Sequence, residues 1–289
     1  MLLPERFLSY LQQYLNGSAI IHISPISGGS INRVYRLDTV AKNYLLKLNS
    51  RSNFQAMFTC EVSGLKAIAD TDTIAVPEVI AWGDFEDYSF LVLEWIETRR
   101  STVKASEVLG RQLAAMHQCS AGHFGLDTDN YMGSLHQPNK KHPSWSEFFI
   151  HERLMPMVNM ASAKGLLSAN DQHNFEQLYL RLSSLFDEER PALIHGDLWN
   201  GNYLIDTDEK PYLIDPAISY GHREFDIAMT TLFGGFSREF YEAYHEAFPL
   251  ADGWQDRLDL WNLYPLLVHL NLFGTGYLGQ VRECLLSYL

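Results

Sequence analysis

The sequence predicts an α+β chain of two lobes, a small β-rich N-terminal lobe followed by a larger, mainly helical C-terminal lobe. Three observations carry this reading. Short β-prone runs bounded by turn formers crowd the first third, and a single helical stretch interrupts them. Helical spacing of apolar residues dominates the remainder. Within that helical region the stretch LIHGDLWNGNYLIDTDEKPYLIDPA, residues 193–217, repeats YLID on either side of turn-forming residues, which reads as a β-hairpin. At 289 residues and 46% hydrophobic content, the chain can bury a core large enough for both lobes.

The elements follow in order. MLLPERFLSYLQQYL has periodic Leu and Tyr, with Glu5 and Arg6 near its start, and reads as an amphipathic helix rather than a signal peptide. Residues 20–26, 33–38 and 43–48 read as three strands, the first two joined through SGGSIN. A helix follows from Ser52, a candidate N-cap, with Phe54, Phe58, Leu65 and Ile68 on one face. Glu61 falls on the same stripe. A carboxylate there needs a partner, because burying it unpaired is costly, and the nearest unexplained cation is Lys47 in the apolar strand LLKL. Strands at 78–82 and 89–95 around GDFEDY close a small sheet, and the lobe boundary is expected near 96–98, giving lobes 1–96 and 97–289. Helices are expected at 109–117, 170–186, 237–248 and from Trp254 onward.

The hairpin carries the chemistry. If Ile205 faces Tyr212, antiparallel pairing sets Asn202 opposite Asp215, roughly 4.5–5.5 Å apart, while Asp206 stays in the turn with Asp208 and Glu209 as solvated charges. Two hard oxygen donors on neighbouring strands suit Mg²⁺, which takes one or two protein oxygens and completes its shell with phosphates. His195-Gly196-Asp197 precedes Asn202 at the spacing of the kinase HRDxxxxN loop, and Asp215 occupies the place of the DFG aspartate. Joined to the lobe order, this predicts a bilobal protein-kinase-like fold using ATP and Mg²⁺. Asp197 is then the candidate base, Asn202 and Asp215 the metal ligands, and Lys47 the phosphate-facing cation placed by Glu61. Gly28 and Gly29 allow backbone N–H groups to approach the nucleotide, Ser30 adds a hydroxyl, and the backbone of Glu94, Trp95 and Ile96 is the expected adenine-facing linker. Residues 216–226, PAISYGHREFD, replace a long activation segment and contain no APE motif, so the expected acceptor is small or is a small group on a larger carrier.

Charge and composition exclude other classes. A formal charge of −13 without a basic stripe disfavours a nucleic-acid partner. Three cysteines without CxxC spacing fit a reducing cytoplasm and no zinc ribbon, and no apolar run reaches the ~20 residues of a membrane span.

Beyond these motifs, SGGSIN, LLKLN, CEVSGLKAI, LVLEWIE, NYMGSLHQPN, WSEFFIHERL, HGDLWNGN, IDPAISYGHREFDIAM and LYPLLVHLNLFG together resemble the fructosamine/ketosamine-3-kinases, within the aminoglycoside-phosphotransferase-like group, essentially end to end. The resemblance implies ATP-dependent phosphorylation of the sugar 3-hydroxyl in small-molecule or protein-bound ketosamines. The unstable 3-phosphate then releases the amine, which is deglycation. Some members carry a redox-active cysteine in the glycine loop; Ser30 stands there in this chain, so no such switch is expected. Trp199, two positions past Asp197, is assigned to stacking on the acceptor, while Arg223 and Glu224 are assigned either to the acceptor pocket or to salt bridges. His195 is expected to shape the loop, Asp226 to cap a helix and brace that loop, and His117 and His269 to be core histidines. Trp145, Phe148 and Phe149 are expected to pack, or else to roof the sugar. Two alternatives stay open: a kinase for another small amine or alcohol of aminoglycoside, choline or homoserine type, and an inactive kinase-fold binding module. The intact set Lys47, Asp197, Asn202 and Asp215 speaks against the latter. Monomer and homodimer are both compatible with the sequence.

Overall fold

The computed structural model describes residues 3–26, 32–51 and 56–289. The expected glycine turn with Gly28, Gly29 and Ser30, and the expected helix start at Ser52 and Phe54, lie outside the described residues.

Helix α1 (Glu5–Gln12) precedes strands β1 (Ile20–Ile26), β2 (Arg33–Thr39) and β3 (Asn43–Ser50), helix α2 (Met57–Ala69), and strands β4 (Val79–Phe85) and β5 (Tyr88–Glu94). The five strands form one antiparallel sheet in the order β1-β2-β3-β5-β4. Side chains alternate across a strand, so each face recruits its own cover. Leu46, Leu48, Phe90 and Val92 point to the face packed by Phe7 and Leu11 of α1. Leu45, Leu91 and Leu93 point to the opposite face, where Phe58, Val62 and Leu65 of α2 pack on them. Lys47 shares the parity of Leu45 and therefore faces α2.

The helical part begins with α3 (Val103–His117), capped by Thr102, whose hydroxyl accepts the Ala105 N–H at 3.2 Å. A short hairpin follows, β6 (Asn130–Met132) and β7 (Leu135–Gln137), and then α4 (Trp145–Phe148), a π-helical turn over Phe149–Leu154, α5 (Met155–Ala163) and α6 (Ala169–Arg181). Four short strands come next: β8 (Ala192–Ile194), β9 (Tyr203–Ile205), β10 (Pro211–Leu213) and β11 (Ser219–Gly221). Helices α7 (Glu224–Leu232), α8 (Arg238–Ala247), α9 (Leu258–Phe273) and α10 (Leu278–Leu286) complete the chain. Helix α9 is apolar on nearly every side and is buried along most of its length, as a helix without a polar face must be. Trp145, Phe148 and Phe149 join Phe225 and Trp261 in the largest core cluster, fully buried, so they pack rather than roof a site.

β9 and β10 form the expected hairpin, but with pairing displaced by one residue. Pro211 faces Ile205, Tyr212 faces Leu204 and Leu213 faces Tyr203, so Asn202 lies opposite Ile214 rather than Asp215. The turn is the cause. Asp206 N–H donates to the Lys210 carbonyl (3.0 Å), the Asp206 carboxylate accepts from the N–H groups of Asp208 (2.9 Å) and Lys210 (2.8 Å), and Glu209 takes a left-handed φ of 69°. That is a three-residue loop with an αL residue at its end, which sets the register. Glu209 is more than a solvated charge, since it accepts the Thr102 hydroxyl at 2.8 Å and ties the turn to α3.

Candidate active site

The displaced register does not scatter the site, because Asp215 leaves the strand line. Its φ of 56° lies in the left-handed region, uncommon for residues other than glycine but tolerated by aspartate, and its carboxylate forms an ion pair with the Lys47 ammonium. Lys47 also donates to Glu61 Oε1 at 2.6 Å, so the expected pair on the α2 face of the sheet is formed. Burial works against a charged Lys47, but the carboxylates of Asp215 and Glu61 outweigh it and hold the ammonium above the usual lysine range. Burial, with the charge of Asp215 added, pushes Glu61 up to about 7 against the pull of Lys47.

Asp197 sits in a loop that is locked from behind. Asp226, in the first turn of α7, accepts the backbone N–H groups of His195 (2.6 Å) and Gly196 (2.9 Å) and bonds to His117 Nε2 (3.1 Å). It braces the loop as expected but caps no helix; α7 has no side-chain cap. Gly196 has φ 81°, and a Cβ there would stand 2.1 Å from the Ala217 carbonyl oxygen, so only glycine allows the loop to lie against the segment after Asp215. The Asp197 N–H donates to His195 Nδ1 (3.2 Å), so His195 carries its proton on Nε2 and donates it to the Ile214 carbonyl (2.9 Å). Both ring nitrogens are engaged and burial lowers the imidazole's pKa, which suits a loop-shaping residue.

Asn202 Nδ2 donates to the Asp197 carbonyl (2.8 Å) and to Asp197 Oδ2 (2.9 Å). Two acceptors on that side fix the amide's orientation, and the Asn202 oxygen is left for another ligand. Burial and the charge of Asp215 raise Asp197 well above the usual carboxylate range, against the bond from Asn202. Among the described residues no group of three or more His, Cys, Asp or Glu is arranged to hold a metal ion. One carboxylate, Asp215, and one amide oxygen, Asn202, are the oxygen donors that could serve a hard cation here, a set that would suit Mg²⁺ only with phosphates supplying the rest.

These residues line one cavity of about 370 Å³ between the sheet and the helical part. Lys47, Glu61, Asp197, Asn202 and Asp215 stand at one side of it. The rest of the lining includes residues that sequence reasoning left out or placed in the core: Tyr131 and Met132 of β6, Phe233 after α7, and His269 and Phe273 of α9. Trp199 joins them, 36% exposed, with its ring 5.9 Å from that of Phe233. The only sequence signal for the β6 wall was the resemblance carried by NYMGSLHQPN. His269 corrects the core assignment; His117, bonded to Tyr244 and Asp226, obeys it.

The fructosamine kinase family model matches residues 6–289. The chain belongs to the fructosamine kinase family. A probable ketoamine kinase from Enterococcus faecium is 38% identical over 276 residues, 95% of this chain and 96% of its own length. Another from Synechocystis is 41% identical over 263 residues, 90% and 88% of the two chains. The crystal structure of a candidate fructosamine-3-kinase from Thermobifida fusca superposes with a TM-score of 0.89 at 33% identity, covering 99% of both chains. Aminoglycoside phosphotransferase APH(4)-Ia reaches a TM-score of 0.67 at 13% identity over 99% and 98% of the two chains, a likeness of fold alone. The fold is therefore kinase-like, and the expected enzyme class, a phosphotransferase, is that of the family.

Within this fructosamine kinase family member, Arg223 and Glu224 take the salt-bridge alternative rather than the acceptor pocket. Arg223 is buried in a two-point pair with Glu189 (2.6 and 2.8 Å) and donates to the carbonyls of Phe248 (2.8 Å) and Pro249 (2.6 Å). Glu224 is buried against Arg257 (2.9 and 2.6 Å) and the Trp261 indole N–H (3.0 Å). Neither lines the reaction cavity, because α7 presents Asp226 to the loop and turns these two toward its own partners. Glu94, Trp95 and Ile96 do not line that cavity either; the Glu94 N–H is held by Glu78 O (2.9 Å), and the Arg36 guanidinium covers the Trp95 ring at 4.7 Å.

Proposed function

We propose that the protein is an ATP-dependent ketosamine kinase that phosphorylates the sugar 3-hydroxyl of ribulosamine or fructosamine adducts, on small amines or protein lysines, and so starts their deglycation in a reducing cytoplasm. One observation carries the reading: Asp197, fixed by Asn202, shares a cavity with the Lys47–Asp215 pair on one side and an aromatic wall around Trp199 on the other. Family membership supports it.

In this reading residues 1–96 hold the nucleotide and residues 97–289 the acceptor. Lys47, placed by Glu61, pairs with the phosphates. Gly28, Gly29 and Ser30 are assigned to the nucleotide through their backbone N–H groups and the serine hydroxyl, and the backbone of Glu94 to Ile96, which starts three residues past the strand partner of Lys47, is assigned to the adenine. Asn202 and Asp215 would hold Mg²⁺, which would supply neutralisation of the phosphate charge. Asp197 takes the proton of the 3-hydroxyl as that oxygen bonds to the γ-phosphorus and the bond to the bridging oxygen breaks, releasing ADP. Trp199 walls the sugar.

The acceptor wall also argues against the aminoglycoside reading. Among the described residues lining the cavity the carboxylates are Glu61, Asp197 and Asp215, all assigned to the catalytic group. A polycationic acceptor needs several more carboxylates to replace the water around its ammonium groups. The test is ADP release with a panel of ribulosamines, fructosamines, aminoglycosides and choline, with the phosphorylated position read by NMR. Turnover of an aminoglycoside or choline but of no ketosamine would overturn the reading.

A further inference from the structure

The aromatic side of the cavity continues outward past the reaction centre. Ring centroids run from Trp199 to Phe233 (5.9 Å), from Phe233 to His269 (5.1 Å), from His269 to Phe273 (5.5 Å) and from Phe273 to Tyr277 (6.2 Å). Trp199, Phe233 and Phe273 are 36%, 41% and 54% exposed, so three large rings face open space in one continuous shelf that starts in the loop of Asp197. Phe233 is delivered there by the Gly234-Gly235 turn. A Cβ on Gly235 would stand 2.4 Å from the Asn200 Cβ, so the turn can press against the loop only as glycine. Among the described residues lining the cavity Lys47 is the sole Lys or Arg, and it lies with the Glu61 and Asp215 carboxylates.

His269 stands at the middle of the shelf. Its Nδ1 lies 2.7 Å from the Pro265 carbonyl, which can only accept, so Nδ1 carries the proton and Nε2 is an acceptor. Burial lowers this imidazole's pKa, against the bond to the Pro265 carbonyl, and so favours its neutral form.

We propose that the Trp199–Phe233–His269–Phe273 shelf is the subsite for the amine part of the acceptor, selecting ketosamines whose amine carries an apolar substituent without a carboxylate, aryl-alkyl groups above all, with His269 Nε2 accepting the amine N–H. This rests on the ketosamine kinase reading. The shelf is continuous with the cavity of Asp197, and the amine lies two carbons from the reacting C3. Aromatic faces stabilise an apolar or aryl group. An α-carboxylate at the same place would have no cation to meet and would lose its hydration.

The experiment compares kcat/KM for two ribulose adducts, of benzylamine and of glycine, in the wild-type enzyme and in Phe273→Ala, Phe273→Tyr, His269→Ala and His269→Gln. The benzylamine adduct is expected to be preferred about tenfold, and Phe273→Ala to reduce that ratio to about threefold or less while Phe273→Tyr retains it. His269→Ala should raise KM for both adducts about tenfold with the KM for ATP unchanged, and His269→Gln, which keeps an acceptor, should recover part of the loss. Phe273 is more than half exposed, so its truncation leaves the fold intact. Both adducts turning over with equal kcat/KM, or a preference unmoved by Phe273→Ala, overturns the subsite and leaves the kinase reading standing. Turnover of neither adduct overturns both.

Discussion

Lys47 and Asp215, 168 positions apart in the chain, meet as an ion pair across the cleft between the sheet and the helical part. The pair joins the strand-parity argument for Lys47 to the hairpin argument for Asp215, and it ranks the two aspartates of the YLID repeat. Asp215→Ala is expected to abolish Mg²⁺-dependent turnover, whereas Asp206→Ala, which removes a turn acceptor, keeps kcat within about threefold, under ~1 kcal/mol of barrier. Steady-state kinetics over a Mg²⁺ titration decides it, and equal losses in the two variants would undo the ranking.

Glu61 shares the Lys47 ammonium with Asp215, so Lys47 and Glu61 should act as one unit. Lys47→Ala and Glu61→Ala are each expected to lose most activity, and the double variant to lose little more. Fully additive losses in a double-mutant cycle would show two independent residues.

Asp226 does not line the cavity, yet both of its oxygens hold the loop of Asp197. In Asp226→Asn one amide nitrogen must face a backbone N–H, donor against donor, and a charge-assisted bond worth about 1.5–3 kcal/mol is lost. The expected outcome is a fall in kcat of about a hundredfold, with KM for ATP little changed, alongside a lower Tm. Retained kcat at reduced Tm would make Asp226 structural only.

Far from the site, Asp171 completes the Ser168 capping box of α6 and takes two bonds of 2.8 Å from Arg282 of α10. The Arg282 guanidinium and the Ser168 bonds, against partial desolvation, hold its carboxyl well below the usual carboxylate range. A depressed carboxylate stabilises the fold above the unfolded pKa of about 3.9 and loses that contribution as pH falls toward the folded value. Asp171→Asn should therefore cost about 1 kcal/mol at pH 7, modest because Arg282 is half exposed, and progressively less below about pH 4. Urea unfolding at pH 7 and pH 3.5 measures this, and a difference that grows on acidification would contradict it.

Residues that break their local pattern were readable without a structure. Lys47 is a cation in an apolar strand, Glu61 a carboxylate on a buried helical stripe, and Asp197, Asn202 and Asp215 keep a spacing that phosphoryl transfer requires. Periodicity and turn chemistry, both local, were also enough for the five sheet strands and the hairpin. The hairpin register was not readable, since it hangs on whether Glu209 enters the left-handed region and lets Asp206 meet Lys210. Nor was the choice between acceptor pocket and salt bridge for Arg223 and Glu224, whose partners Glu189 and Arg257 lie more than thirty residues away in sequence. Phe233, His269 and Phe273 look like core at helical spacing. Helix packing alone decides that they border a cavity, because burial is set by what the other elements leave uncovered, and no local pattern records that.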